Sequence, residues 1–301
     1  MEKLILTQSQ KKFYQENGYL HIKSVFTPEE VQMFRSTALK ETKEAGDNKY
    51  SVRNPEGVIS TVDLLSHEVF QKFLMKLELI SALKELLDDE PVYFGVSCVS
   101  VNFYKKTIEK HRDNIDFNNA NGKDWEGKYS ITRVGLYLQD HTENGGNIWF
   151  TPESHKGFRT KKKPETFEYK AGDLVIWSLL TEHSVSALPR NILKGKKMPS
   201  LLEILYFRLL KPFLTRPFPT SAYPKEENPR IFMTAIFGGK SDNFNVNRII
   251  NRRNHQAWNW KYKIFNNTKS YSPETLFEAN ESGLRLNLKH VLNKSEPYNI
   301  V

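Results

Sequence analysis

Two textures of apolar spacing divide the chain. Up to about residue 88, apolar side chains recur at three- and four-residue intervals, the mark of helices with one buried face. Phe13, Tyr14, Gly18, Tyr19, Leu20, Ile22 and Val25 predict a short helix leading into a strand over residues 11–25. Thr27-Pro28-Glu29-Glu30 then places a cap, a proline at the first helical position and an acid three residues after the cap. This capping box opens a helix through Val31, Phe34 and Ala38 that ends before Gly46. A second helix is expected over 66–88, where Val69, Phe70, Phe73, Leu74, Leu77, Ile80, Leu83 and Leu87 keep helical spacing. After Pro91 the texture becomes that of strands: Val92–Tyr104, Ile131–Gln139, Ile148–Phe150, Leu174–Trp177 and Arg230–Phe237, each bounded by Gly, Asn, Pro or Asp. Short strands separated by turn residues indicate a sandwich or barrel. Residues 200–211 read as a helix inside an insertion ending near Pro229, and the tail from 240 as helical or irregular.

Composition narrows the class. With 301 residues, 39% hydrophobic and 12% aromatic, the chain can build one large core, and it has no linker, repeat or low-complexity tract. No apolar run approaches the ~18 residues of a membrane span, and the first ten residues lack an apolar signal core. The lone Cys98 sits in an apolar stretch and reads as a small buried residue rather than a nucleophile. Without a disulfide framework, a cytoplasmic location is the expectation. The net charge of +9 calls for an anionic partner: nucleic acid, lipid or a small molecule. Part of the excess is local. Between Arg190 and Arg216 stand seven basic residues against one acid, Glu203, which reads equally as a solvated loop and as a mouth for an anionic ligand.

The chemistry concentrates between residues 111 and 183. His111-Arg112-Asp113 lies in an extended segment, where residues i and i+2 point the same way, so His111 and Asp113 can converge. A third ligand from a distant strand, for which the isolated His183 stands ready, would complete two histidines and one carboxylate. Such a triad leaves one side of an Fe(II) ion open to other ligands and O2. Asn118, five residues after Asp113, also fits a kinase catalytic-loop pattern. The Gly-rich loop, strand lysine and Asp-Phe-Gly that a kinase needs are absent, so that match is accidental.

In these residues the chain resembles the phytanoyl-CoA dioxygenase family of Fe(II)- and 2-oxoglutarate-dependent oxygenases. The similar stretches are Tyr14-Gln15-Glu16-Asn17-Gly18-Tyr19 with Phe26-Thr27-Pro28-Glu29-Glu30-Val31, then His111-Arg112-Asp113. Tyr137-Leu138-Gln139-Asp140 with Asn144-Gly145-Gly146 and Pro152-Glu153-Ser154-His155-Lys156 follow, and Ala171-Gly172-Asp173-Leu174-Val175 leads to His183. They occur in the family's order over roughly residues 11–240. The resemblance implies a mainly β fold, a double-stranded β-helix (jelly roll) buttressed by helices. It implies a single oxygenase domain over 1–301, with a lid insertion at 190–229 and a C-terminal extension at 240–301. It further implies Fe(II) on His111, Asp113 and His183, with 2-oxoglutarate and O2 as cosubstrates. The family's cosubstrate arginine follows the distal histidine, and Arg230 is the best match. The gap of 47 residues from His183 is longer than the family's, so Arg190 and Lys194 remain alternatives.

Asn102 and Tyr104 share parity on the strand entering the site and read equally as cosubstrate contacts and as barrel packing. His155 reads as a turn residue, and Trp149 and Trp177 as core aromatics. The interleaved Trp258-Asn259-Trp260-Lys261-Tyr262 suits docking of the tail onto the barrel better than stacking on nucleobases. The resulting expectation is an oxygenase oxidising an unactivated C–H bond of a small anionic metabolite, by hydroxylation, desaturation or oxidative cyclisation. Halogenation is disfavoured by the carboxylate at Asp113. The competing expectations are a non-catalytic jelly-roll binding protein, and an oxygenase acting on nucleic acid or protein. Substrate identity and oligomeric state are not written in the sequence.

Overall fold

The computed structural model describes residues 4–43, 51–53, 59–102, 108–140, 147–186, 229–259 and 271–287. Helix α1 (Gln8–Asn17) begins with a reciprocal capping box between Thr7 and Gln10 and stops at Gly18, whose φ of 81° admits no ordinary side chain without strain. Strand β1 (Tyr19–Ile22) follows directly. The second expected capping box is present: the Thr27 N–H donates to Glu30 Oε2 at 2.8 Å and the Glu30 N–H to Thr27 Oγ1 at 3.3 Å. It opens α2 (Pro28–Lys43).

The helix expected over 66–88 is divided. After the short strands β2 (Ser51–Arg53) and β3 (Ile59–Val62), a 3-10 turn at Leu64–Ser66 leads to α3 (Gln71–Leu74) and α4 (Leu77–Leu87). Lys76 between them is extended, with φ −62° and ψ 119°. There its ammonium meets the Glu30 carboxylate of α2 at 2.8 Å in a largely buried pair, which offsets the helical hydrogen bonds lost at the break. Phe73 and Leu74 on one side and Leu79 and Leu83 on the other are all fully buried. The apolar periodicity therefore runs across a break that it does not reveal.

The β-rich half forms two antiparallel sheets, with one short parallel strand at the margin. The remaining strands are β4 (Pro91–Asn102), β5 (Ile108–His111), β6 (Ile131–Tyr137), β7 (Asn147–Phe150), β8 (Glu165–Thr166), β9 (Leu174–Ser178), β10 (His183–Ser186) and β11 (Arg230–Gly239). The larger sheet has the order β1-β9-β6-β11-β4-β3-β2, with β12 (Arg285–Leu286) parallel beside β4. The smaller has the order β5-β10-β7-β8. From β9 to β11 the chain alternates between the sheets, the winding of a double-stranded β-helix. The tail contains α5 (Asn243–Asn259) and α6 (Pro273–Glu281). No helix among the described residues is long and apolar enough to cross a membrane. The insertion expected at 190–229, with its helix at 200–211, lies outside the described residues except for Pro229.

Register gives the larger sheet two unlike faces. Val99, Val101, Val134, Leu136, Leu174, Ile176, Met233 and Ala235 turn toward the helices and join Phe34, Phe73 and Leu83 in one buried cluster. The opposite face carries Cys98, Ser100, Arg133, Gly135, Tyr137, Val175, Trp177, Arg230, Phe232 and Thr234, aligned by the pairings Phe232↔Tyr137, Thr234↔Gly135, Arg133↔Trp177 and Thr234↔Cys98. This second face is polar and aromatic, and it looks at the smaller sheet. Tyr19, Tyr137, Val175 and Trp177 from one sheet pack with Ile148 and Phe150 from the other.

The turn into β9 fixes where β1 lies. The Gly172 carbonyl accepts the N–H groups of Val25 (3.1 Å) and Phe26 (3.0 Å). The Asp173 carboxylate accepts from His21 Nε2 at 2.8 Å and from the Ser24 and Lys170 N–H groups at 2.9 Å each. Burial pushes the Asp173 carboxyl up, but the hydrogen bonds from His21, Lys170 and Ser24 outweigh it and hold it below the usual value.

Two outcomes are expected. Gly172 has φ 92°, and a β-carbon there would stand 2.5 Å from the Phe26 carbonyl oxygen. Gly172→Ala should therefore destabilise by about 2 kcal/mol or more in urea denaturation; an unchanged midpoint would refute the steric account. Because the Asp173 carboxyl is depressed in the fold, its stabilisation is fully present above the ordinary carboxylate pKa of about 4 and is lost as pH falls through the folded value. The stability gap between wild type and Asp173→Asn should be constant at neutral pH and close on acidification. A gap independent of pH would contradict this.

Candidate metal centre

The site is built by one backbone pairing and one backbone hydrogen bond. Strands β5 and β10 place His111 directly opposite His183, and their ring centroids stand 4.3 Å apart. Strand β5 ends at His111, so Asp113 is not held by a ladder. Its N–H instead donates to the Leu179 carbonyl at 3.1 Å, in the turn that precedes β10. His111, Asp113 and His183 thereby each offer a ligand atom, all within 4.8 Å of one another.

Protonation suits those atoms to a cation. The Nδ1 of His183 lies 3.0 Å from the Thr181 carbonyl, which can only accept, so Nδ1 carries the proton and Nε2 presents its lone pair. Burial pulls the His183 pKa down to about 4, so the ring is neutral near pH 7. Burial alone would push the Asp113 carboxyl up. The Arg133 charge and the neighbouring His183 and His111 rings more than cancel this and keep it ionised. Asp113 Oδ2 lies 3.4 Å from His183 Nε2 and 3.4 Å from Arg133 Nε. It is buried without a hydrogen-bond partner. Two imidazoles and a buried carboxylate oxygen without a hydrogen-bond partner form a donor set that fits a divalent first-row metal.

The middle residue of the tripeptide has a different task. Arg112 points away from the triad: Nε donates to the Leu180 carbonyl at 2.9 Å, and Nη2 to the Ser154 and Gly157 carbonyls at 3.2 and 3.4 Å. Its guanidinium also lies over the Trp125 ring at 5.3 Å. Arg112 thus ties the motif to the turn before β10 and to the loop after β7.

Around the triad the wall is aromatic. Trp177 and Phe150 lie 5.5 and 6.0 Å from the His183 ring, and Tyr19 stacks on Phe150 at 4.7 Å. Trp177, expected as a core aromatic, is buried but faces the site, and Gly135 beneath it leaves room: a β-carbon there would be 3.1 Å from the indole. Farther along the same sheet face, Arg230 lies over the Tyr137 ring at 5.4 Å, and Tyr169 stacks on Tyr137 at 4.0 Å. Burial pushes both phenols up despite Arg230, so they stay neutral donors. Arg230 Nε is buried and without a hydrogen-bond partner, and the guanidinium stands beside the Tyr137 and Tyr169 hydroxyls, a set of donors that fits a carboxylate.

Of the other residues marked in the sequence, Asn102 pairs with Arg230 along the backbone, while Tyr104, Arg190 and Lys194 lie outside the described residues. His155 is a turn residue whose Nε2 donates to the Gln15 carbonyl at 3.1 Å. Cys98 is half-buried on the site-facing side, and burial pushes its thiol up, away from nucleophilic character. Arg133 and Tyr169 carried no mark in the sequence. Only the pairing of β6 with β9 and β11 reveals Arg133 as a neighbour of the triad.

Comparisons with known proteins agree with this geometry. The family model for phytanoyl-CoA dioxygenase (PhyH) matches residues 14–187. Among curated proteins, none matches the chain in sequence. Among solved structures, EctD from S. alaskensis with bound Fe shares 15% identity over 80% of each chain, with a TM-score of 0.58. SnoN, a non-heme alpha ketoglutarate dependent epimerase from nogalamycin biosynthesis, shares 15% identity over 77% of this chain and 82% of its own, with a TM-score of 0.54. HygX from Streptomyces hygroscopicus, resolved with nickel and 2-oxoglutarate, shares 14% identity over 78% and 88%, also with a TM-score of 0.54. At these identities the likeness speaks for the shared jelly-roll fold.

Removing the Arg112 fork leaves three carbonyls without their donor. Arg112→Ala should cost about 2–3 kcal/mol in chemical denaturation, and Arg112→Lys should recover only part of it. A neutral Arg112→Ala would show that the loops are held by other means.

Proposed function

The chain belongs to the phytanoyl-CoA dioxygenase family, and from that premise we propose an Fe(II)- and 2-oxoglutarate-dependent oxygenase with His111, Asp113 and His183 as metal ligands and Arg230 as the cosubstrate anchor. The observation that carries this reading is the convergence of two histidines and one carboxylate, supplied by segments about seventy residues apart, within 4.8 Å. The chemistry supplied by bound Fe(II) is the coupling of 2-oxoglutarate decarboxylation by O2, giving succinate and CO2, to removal of hydrogen from a substrate C–H bond.

The protein's own residues prepare that chemistry. His183 offers Nε2 because the Thr181 carbonyl holds the proton on Nδ1. Asp113 stays anionic beside Arg133. Arg230, with the Tyr137 and Tyr169 hydroxyls beside it, would hold the distal carboxylate of 2-oxoglutarate through charge-assisted hydrogen bonds. The rings of Trp177, Phe150 and Tyr19 exclude water from one wall, which limits uncoupled oxidation.

The substrate we propose is a small anionic metabolite, hydroxylated, desaturated or oxidatively cyclised. Its support is the net charge of +9, concentrated in part between Arg190 and Arg216. EctD resolved with 2-oxoglutarate and 5-hydroxyectoine, and SnoN resolved with nogalamycin RO, support the small-molecule part of this reading.

Succinate formation from 2-oxoglutarate, measured with Fe(II) and O2 against a panel of carboxylated and phosphorylated metabolites, tests this. Wild type should show turnover that a panel member stimulates, and His183→Ala should lose it by more than about 100-fold while keeping its melting transition. Arg230→Met should raise the KM for 2-oxoglutarate by about 30-fold. Retained turnover in His183→Ala would sink the metal assignment, and an unchanged KM in Arg230→Met would remove the anchor.

A further inference from the structure

Helix α5 begins more than fifty residues beyond the stretch matched by the family model, yet it reaches the metal centre. Its apolar stripe Val246, Ile249 and Ile250 packs against Phe94, Ile131, Leu179 and Ile236. Asp242 fixes its start: Oδ1 accepts the Asn245 N–H at 3.3 Å as a cap, and Oδ2 accepts the Ser130 N–H of the segment entering β6 at 2.8 Å. One turn apart on the flank of that stripe stand two arginines. Arg252 Nη1 donates to the Asp113 carbonyl and to the Asn114 carbonyl, each at 3.0 Å. Arg248 pairs with Asp116 at 2.9 Å and with the buried Asp124.

These contacts close the segment after His111 into a fixed loop. Asp124 Oδ2 accepts from Asn114 Nδ2 at 2.9 Å and from the Asp116 N–H at 2.8 Å, while Asp116 Oδ2 accepts the Asp124 N–H at 2.9 Å. The Asp113 peptide is therefore held at both ends: its N–H by Leu179 and its carbonyl by Arg252. Both holders belong to, or sit beside, the same apolar cluster under α5. The carboxylate of Asp113 leaves its backbone with few further degrees of freedom, so the direction of its buried oxygen depends on that peptide.

We propose that Arg252 is a positioning residue of the metal centre, and that α5 is part of the metal-binding unit through it. This rests on the triad reading given above. By fixing the Asp113 and Asn114 carbonyls, Arg252 sets the carboxylate in the orientation that meets His111 and His183, so the metal finds its site organised. A merely structural arginine would contribute to stability and leave affinity unchanged once the protein is folded.

Anaerobic titration with Co(II), followed through its visible d–d absorption, separates the cases by reading affinity and coordination together. Wild type, Arg252→Met, Arg252→Lys and His183→Ala are compared at a temperature where each is folded by circular dichroism. Arg252→Met should weaken Co(II) binding by about 10-fold or more, with an altered band pattern. Arg252→Lys should lie between, weaker than wild type by at least about threefold, because its ammonium ends about one bond short of the Nη1 position that donates to both carbonyls. Affinity within twofold of wild type in folded Arg252→Met overturns the proposal. Should that variant not fold, unchanged affinity in Arg252→Lys overturns it. His183→Ala reports on the triad itself: if it binds Co(II) as wild type does, the metal reading fails independently of Arg252.

Discussion

The pairing of His111 with His183 across β5 and β10 is the contact on which the rest of the site depends. A one-residue slip in that register would turn one imidazole to the other face of the sheet and leave a single histidine in the site. Two neighbouring bonds secure the register. The Asp113 N–H docks on the Leu179 carbonyl, and Arg112 Nε docks on the Leu180 carbonyl, so consecutive residues of the tripeptide engage consecutive carbonyls of the turn that launches β10. The second histidine and the carboxylate are in this way delivered by the same turn.

The larger sheet supplies the other half of the architecture by keeping its faces chemically distinct. Its helix-facing side is largely aliphatic and bears the fold's apolar core. Its site-facing side can then carry Arg133, Arg230, Tyr137 and Trp177, groups that a conventional core could not accept unpaired. Arg133 meets Asp113 at one end, and Arg230 stands over Tyr137 at the other. The positive charges thus bracket the face between them, an arrangement suited to a dianionic cosubstrate lying along it.

Much of this was legible in the amino-acid order, because the signals are local. The capping box at Thr27–Glu30, the strands near 92–102, 131–137, 174–178 and 230–239, and the i, i+2 spacing of His111 and Asp113 each express a rule that operates within a few residues. What escaped the reading is non-local. Arg133 sits in an ordinary strand sequence and becomes a neighbour of Asp113 only through sheet register. Arg252 and Arg248 lie on a helix whose composition suggested no more than a docked tail, and their carbonyl and carboxylate partners are more than a hundred residues away. The division of the 66–88 helix escaped for a related reason. Lys76 leaves helical geometry to reach Glu30 of another helix, a pairing that apolar periodicity does not encode.

In the proposed reading, His111, Asp113 and His183 hold Fe(II) with positions left over for 2-oxoglutarate. Anaerobic addition of Fe(II) and then 2-oxoglutarate to the metal-free protein tests it most directly, through the visible charge-transfer band of a chelated Fe(II)–2-oxoglutarate complex. The band should appear at one equivalent of iron and be absent in His111→Ala. Folded wild-type protein that gives no band, or a band that survives the loss of His111, would contradict that reading.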